Sequence, residues 1–105
     1  MIKKYGILSM SLTFEWDENK SAKNEKKHGI TFEEAKTVFN DPFAITIDDP
    51  DHSEGEYRFI DIGFSYKGEI LVVWYTERNE NIRIIGCRKA TRSERKKYEE
   101  KDAQI

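Results

Sequence analysis

The sequence has few of the features that cross-link a chain or hold it in a membrane. Its 105 residues include one cysteine and two prolines, and no apolar run approaches the roughly 20 residues of a membrane-spanning helix. Cys87 alone cannot form an internal disulfide. The first eleven residues lack the apolar run and cleavage site of a secretory signal. We therefore expect a cytoplasmic protein with no membrane attachment.

The common motifs of nucleotide, metal and nucleophile sites are also absent. The sequence contains no P-loop, no dinucleotide-binding glycine pattern, no zinc-ligand spacing and no serine-nucleophile elbow. The acidic run from Asp48 to His52 lacks the spacing of a calcium loop and has no second ligand cluster, so it is better read as a solvated loop. We therefore expect no metal and no cofactor.

Length and composition predict one small domain. Hydrophobic residues make up 37% and charged residues 36% of the chain, enough for a single thin core. We interpret residues 1–11 as an N-terminal extension and residues 12–105 as the domain. No internal repeat or linker divides the latter.

Capping and periodicity signals divide this domain into eight elements. Asp17 is a good helix N-cap and Gly29 a good helix end, while Thr31 with Glu34 forms a capping box. The predicted elements are a strand at 13–16, helices at 18–28 and 31–40, strands at 44–48, 57–66, 70–76 and 82–90, and a helix at 91–102.

This order predicts an α+β fold. The four later strands follow one another through short links, which permit antiparallel but not parallel pairing. We therefore expect an antiparallel β-sheet built as a strand, two helices, a four-strand meander and a C-terminal helix, with the helices against one side of the sheet.

Charge is unevenly distributed in a chain whose net charge is only -2. Residues 41–69 hold eight acidic and two basic side chains, whereas residues 78–101 hold nine basic and four acidic ones. The C-terminal third is therefore the candidate anion-binding surface, and a solvated helix face is the alternative explanation.

Three arginines stand out because strand alternation groups them with apolar residues. Arg58 shares parity with Ile60, Ile62 and Phe64, Arg78 with Val72 and Trp74, and Arg88 with Ile82 and Ile84. Since arginine stays charged, such side chains need anionic partners. Those partners are either internal carboxylates, for which Glu15, Glu56 and Glu77 are available, or the phosphate of a ligand.

A titratable side chain closes the first predicted helix. His28, next to Lys27, could serve in proton transfer if it faced the arginines. A histidine at a helix end is more often a favourable C-terminal charge or a packing residue than a catalyst. The residues alone do not choose a reaction.

The sequence as a whole resembles the BrnT family of type II toxins. The resemblance covers residues 14 to 98 and lies in Phe14-Glu15-Trp16-Asp17, Lys20, Asn24, Lys27-His28-Gly29, Phe32, Ala35, Glu56, Arg58, Gly63, Thr76, Arg78, Arg83-Ile84-Ile85, Arg88, Ala90, Glu94 and Tyr98.

This resemblance implies a RelE-like ribonuclease that cuts RNA without a metal and thereby inhibits translation and growth. It implies a ribbon-helix-helix antitoxin resembling BrnA as partner, and operator DNA bound only through the antitoxin complex. A homodimer and a heterotetramer with the antitoxin both stay open. The site residues that follow are His28, Lys27, Arg58, Arg78 and Arg88 for catalysis and Arg83, Lys89, Arg92, Arg95 and Tyr98 for RNA binding. Tyr98 lies in the basic segment, where its ring could stack on a base.

Two other hypotheses compete with a ribonuclease. One is a non-catalytic module whose basic helix binds nucleic acid or a protein, and the other is a degenerate toxin that survives as a binding subunit.

Overall fold

The computed structural model describes residues 12–49 and 56–103, with side chains through Glu100. The predicted N-terminal extension and most of the predicted loop after Asp49 lie outside the described residues. Strand β1 spans Thr13–Glu15, helix α1 Glu18–His28, helix α2 Phe32–Lys36, a 3₁₀ helix Thr37–Asn40, β2 Ile45–Asp48, β3 Arg58–Phe64, β4 Ile70–Arg78, β5 Asn81–Lys89, and helix α3 Arg92–Ala103.

The predicted order of elements is confirmed, and the local signals explain it. A side-chain oxygen of Asp17 accepts hydrogen bonds from the backbone N–H groups of Asn19 (2.8 Å) and Lys20 (3.1 Å), which opens α1. Gly29 ends α1 in the left-handed conformation, with φ 73°. No helix in the described part of the chain is long and apolar enough to cross a membrane.

The second helix starts as predicted but changes type before it ends. Thr31 Oγ1 accepts a hydrogen bond from Glu34 N at 3.0 Å, whereas the Glu34 carboxylate accepts one from Ser65 Oγ at 2.7 Å. Only half of the predicted capping box therefore forms. The Thr37 hydroxyl donates to the Glu34 carbonyl, and from Thr37 the chain continues as a 3₁₀ helix instead of the predicted α-helix.

The sheet is mixed, so the prediction of a wholly antiparallel sheet is corrected. Strand order is β1-β5-β4-β3-β2. The pairs β2–β3, β3–β4 and β4–β5 are antiparallel as predicted, but β1 lies parallel to β5. Parallel pairing is possible there because two α-helices, the 3₁₀ helix and three strands separate β1 from β5 along the chain.

Helices cover both faces of this sheet, which corrects the expectation that they share one side. The main core packs α2 and the 3₁₀ helix against one face through Phe32, Phe39, Leu71 and Tyr75. A smaller core on the other face joins Tyr98 of α3 to Ile62, Ile70 and Val72. Helix α3 therefore covers only one end of its face.

A β-bulge corrects the predicted side of one arginine. Tyr75 pairs with Ile84 but Trp74 pairs with Gly86, so Ile85 is an extra residue in β5. Beyond the bulge Arg88 pairs with Val72 and shares its face, opposite the core face that holds Ile84. Simple alternation along β5 had placed Arg88 with Ile82 and Ile84.

Candidate active site

A row of polar residues crosses four strands on the sheet face that α3 leaves open. Arg58 on β3 pairs with Thr76 on β4, Thr76 pairs with Arg83 on β5, and Arg83 pairs with Glu15 on β1. Side chains of directly opposite residues project from the same face of a sheet. The register therefore places a hydroxyl between two guanidinium groups.

Three residues of this row, Arg58, Thr76 and Arg83, line a cleft of about 200 Å³, which we call the arginine cleft. Four basic residues and one acidic residue line it, so its charge is strongly positive. The lining residues are Lys20, Glu56, Arg58, Thr76, Arg78, Arg83 and Ile85.

Carboxylates orient two of the arginines. Arg78 donates from Nε to Glu56 Oε2 and from Nη2 to Glu56 Oε1 at 2.7 Å, a two-point ion pair. The hydrogen bond from Arg78 lowers the pKa of the Glu56 carboxyl group below its usual 4.5. Arg83 Nη1 donates to Glu15 Oε2 at 3.0 Å, and the same oxygen lies 3.9 Å from Arg78 Nη1. The predicted internal partners Glu15 and Glu56 are thus present at the cleft.

Thr76 is the unusual member of the cleft. Its side chain is buried, and its hydroxyl has no hydrogen-bond partner among the described residues. A buried hydroxyl without a partner costs about 1–3 kcal/mol. It therefore marks a place where an oxygen of a ligand or water would be favoured.

Arg88 belongs to a different cluster of the same face. An apolar row of Ile47, Ile60 and Trp74 adjoins the polar row, and the Arg88 guanidinium lies 5.1 Å from the centre of the Trp74 ring. Its two terminal nitrogens donate to Glu94 at 2.8 and 3.0 Å. The described contacts of Arg88 thus connect β5 to the start of α3.

His28 and Lys27 lie beside the arginine cleft and do not line it. Together with Lys20, Lys23, Asn24 and Ile85 they line a separate groove of about 230 Å³. Lys20 and Ile85 line both spaces, so the groove and the cleft are contiguous.

The residues predicted to bind RNA are dispersed. Arg83 lines the cleft, Lys89 pairs with Glu69 at 3.5 Å, and Arg92 and Arg95 are exposed on α3. Tyr98 is only 3% exposed, and its hydroxyl donates to Asp41 at 2.7 Å. Its proposed stacking on bases is therefore corrected: Tyr98 anchors α3 to the sheet.

Sequence reasoning gave no site role to three residues of the cleft. These residues are Thr76, Glu56 and Lys20. Thr76 shares strand parity with Arg78, and this parity could have placed it in the site, whereas Glu56 was considered only as a counter-ion. Lys20 lies on a mainly polar helix, where spacing alone does not show which lysine faces the sheet. No group of three metal-binding side chains occurs within residues 12–49 and 56–103.

Comparison with known proteins gives a consistent result. A family model described as "Ribonuclease toxin, BrnT, of type II toxin-antitoxin system" matches residues 16–94. A search of curated proteins finds no match. Among solved structures, the crystal structure of the Brucella abortus ribonuclease toxin BrnT is similar in fold, with a TM-score of 0.62 and 21% sequence identity. That similarity covers 78% of this chain and 100% of the Brucella chain.

Proposed function

The chain belongs to the BrnT family of ribonuclease toxins from type II toxin–antitoxin systems, and on that basis we propose that the arginine cleft is a metal-independent endoribonuclease site. One observation carries the proposal: Arg58, Arg78 and Arg83 line one cleft with the buried hydroxyl of Thr76, which has no hydrogen-bond partner within residues 12–49 and 56–100.

The first role of the cleft is to bind the scissile phosphate. Guanidinium groups match phosphate oxygens geometrically and stay charged at every physiological pH. Glu56 and Glu15 hold Arg78 and Arg83 in place before substrate arrives, so little reorganisation is needed as charge grows on the phosphorane oxygens. The Thr76 hydroxyl can donate to one of these oxygens.

The second role is proton transfer. The RNA 2'-hydroxyl attacks phosphorus, so a bond forms from O2' to phosphorus and the bond from phosphorus to O5' breaks. Glu56, the carboxylate that lines the cleft, accepts the 2'-hydroxyl proton. The Lys20 ammonium group, which lines the same cleft, donates a proton to the leaving O5' and is protonated again from water, while Glu56 returns its proton to water. His28 and Lys27, the other candidates for proton transfer, are expected to assist only if the substrate reaches their groove.

Metal independence follows from this chemistry. RNA carries its own nucleophile, and four cations in the cleft supply the charge that metal ions provide elsewhere. Purified protein should cleave single-stranded RNA in excess EDTA and leave the matching DNA intact, as resolved on denaturing gels. Cleavage that stops with EDTA and returns with magnesium would refute metal independence.

A ribbon-helix-helix antitoxin is the proposed partner. An acidic segment that occupies the cleft would compete with phosphate for the same arginines and would prevent RNA cleavage in the cytoplasm. Operator DNA is then bound through the complex, as a heterotetramer or a smaller assembly, and not by this chain alone.

One observation favours a second candidate, a non-catalytic binding module. Arg78, Arg83 and Arg88 all pair with carboxylates of the chain itself, as arginines with a structural role do. Substitution of Arg78 separates the two candidates. If the cleft is catalytic, the variant loses RNA cleavage while it stays folded; if the protein is a binding module, cleavage does not depend on Arg78.

A further inference from the structure

The groove beside the arginine cleft has a charge pattern of its own. It runs along α1 and is lined by Lys20, Lys23, Asn24, Lys27 and His28, with Ile85 of the β5 bulge. Because Lys20 and Ile85 also line the cleft, the two spaces adjoin, and a polymer bound in the cleft passes close to this groove.

The lysines of the groove differ from the cleft arginines in their partners. Arg78 and Arg83 form ion pairs with carboxylates, whereas Lys23 and Lys27 form none with the described residues. The groove therefore offers positive charge that no ion pair within the described part of the chain neutralises. Charge of this kind attracts an anionic ligand more strongly than paired charge does.

Asn24 fixes the shape of the groove. Its Oδ1 accepts from Cys87 N at 3.1 Å, and its Nδ2 donates to the Ile30 carbonyl at 3.0 Å and to Cys87 Sγ at 3.2 Å. The two bonds to Cys87 attach the middle of α1 to β5. They satisfy a backbone N–H group in the part of β5 that β1 does not reach. The lysines thus project from a helix held at a set position relative to the cleft.

We propose that this groove is a subsite for the sugar–phosphate backbone of the RNA that flanks the cleavage site. The inference rests on the proposed function and adds to it a binding track for the substrate. Lys20 and Lys27 are seven residues apart, or about 10 Å along the helix. That length lets several lysines lie beside consecutive phosphates of one RNA strand.

The lining favours backbone contacts over base recognition. Apart from the imidazole of His28, the groove presents ammonium groups, one aliphatic side chain and an amide already engaged with β5. Lysine ammonium groups bind phosphates as point charges and carry little sequence information. Binding in the groove should therefore depend strongly on salt and only weakly on sequence.

The test compares Lys23→Gln with Lys26→Gln. Both lysines are exposed on α1 and lose the same charge, but Lys26 does not line the groove. The substrates are a ribodinucleotide, which reaches only the cleft, and a 20-nucleotide RNA with one scissile ribose among 2'-O-methyl positions. In Lys23→Gln the ratio of kcat/KM on the long substrate to that on the dinucleotide should fall severalfold, while Lys26→Gln keeps the wild-type ratio.

A binding measurement keeps this test independent of cleavage. Fluorescence anisotropy with a fully 2'-O-methylated 20-mer should show the slope of log affinity against log salt reduced by about 0.7 in Lys23→Gln, the value for one lost single-strand phosphate contact. An unchanged slope and ratio would overturn the subsite. So would a loss confined to binding of an acidic antitoxin peptide, which would make the groove a protein contact. Failure of the wild-type protein to cleave either substrate would refute the proposed function instead.

Discussion

Replacement of Arg78 by alanine should lower RNA cleavage far more than it lowers stability. The Arg78 side chain is 45% exposed and its partner Glu56 is 40% exposed. Exposed ion pairs contribute little to folding, because water screens the charges and pairing costs side-chain entropy. Arg78→Ala should therefore stay folded at 25 °C, with a Tm close to that of the wild type.

The expected effect on rate is larger. Removing one preorganised donor to a developing oxyanion typically costs 10²- to 10³-fold, or about 2.7–4 kcal/mol of transition-state stabilisation. Initial rates on single-stranded RNA in EDTA, with circular dichroism on the same samples, measure both quantities. Arg78→Lys keeps the charge but loses the two-point geometry, so its rate should fall between those of the wild type and the alanine variant.

Lys36→Ala is the matched control for this prediction. The substitution breaks an ion pair in which Lys36 Nζ lies 3.0 Å from Glu33 Oε1. The Lys36 side chain is 40% exposed, similar to that of Arg78, and does not line the cleft. Its rate should equal that of the wild type. If Arg78→Ala cleaved RNA at the wild-type rate, or lost activity only in proportion to unfolding, the catalytic role of the cleft would be refuted and the binding-module alternative supported.

The remaining predictions concern the fold and the partner. Arg88→Ala should lower Tm at pH 7, because it removes the hydrogen bonds from Arg88 to the Glu94 carboxylate. These bonds lower the pKa of Glu94 to about 2, so they stabilise the fold only while Glu94 is ionised. The difference in Tm between variant and wild type should therefore shrink as pH falls from about 4.5 towards 2. A pH-independent deficit in thermal melts would contradict this. Gly63→Ala should destabilise by about 1–3 kcal/mol in urea titrations, since its Cβ would lie 2.9 Å from Ala44 Cβ. Gly86→Ala, whose Cβ would meet its nearest neighbour at 3.8 Å, should be tolerated, and equal losses in both would argue against crowding. Co-expression with a ribbon-helix-helix antitoxin should restore growth and yield a complex that dissociates more readily at high salt. If expression of this chain alone left the host unharmed, that result would count against both the toxicity of the chain and the proposed complex.

Local signals were sufficient for most of the secondary structure. Asp17 and Gly29 act through neighbours within a few residues, and the structure shows both in their predicted roles at the ends of α1. Thr91 and Glu94 act locally too, as a reciprocal capping box at the start of α3. Their contacts depend on backbone geometry that the residue types already favour. The short links between β3, β4 and β5 likewise determine antiparallel pairing without reference to the rest of the fold.

Tertiary structure decided what the local patterns could not. The bulge at Ile85 moves Arg88 to the opposite face, because one extra residue reverses the alternation of side chains along β5. No residue type in β5 predicts this bulge. Tyr98 looked like a base-stacking residue in a basic helix, yet its packing against the sheet depends on a long-range hydrogen bond to Asp41.

The sequence by itself determined the order of the elements and the family, because caps, turns and family motifs are carried by residue types at fixed spacing. Only the folded chain brought Lys20, Glu56 and Thr76 together with the arginines, since these residues come from α1, the segment before β3, and β4. Their convergence depends on the register of a mixed sheet and on the docking of α1 by Asn24. Both are set by long-range packing, whose free energy is shared among many residues far apart in sequence.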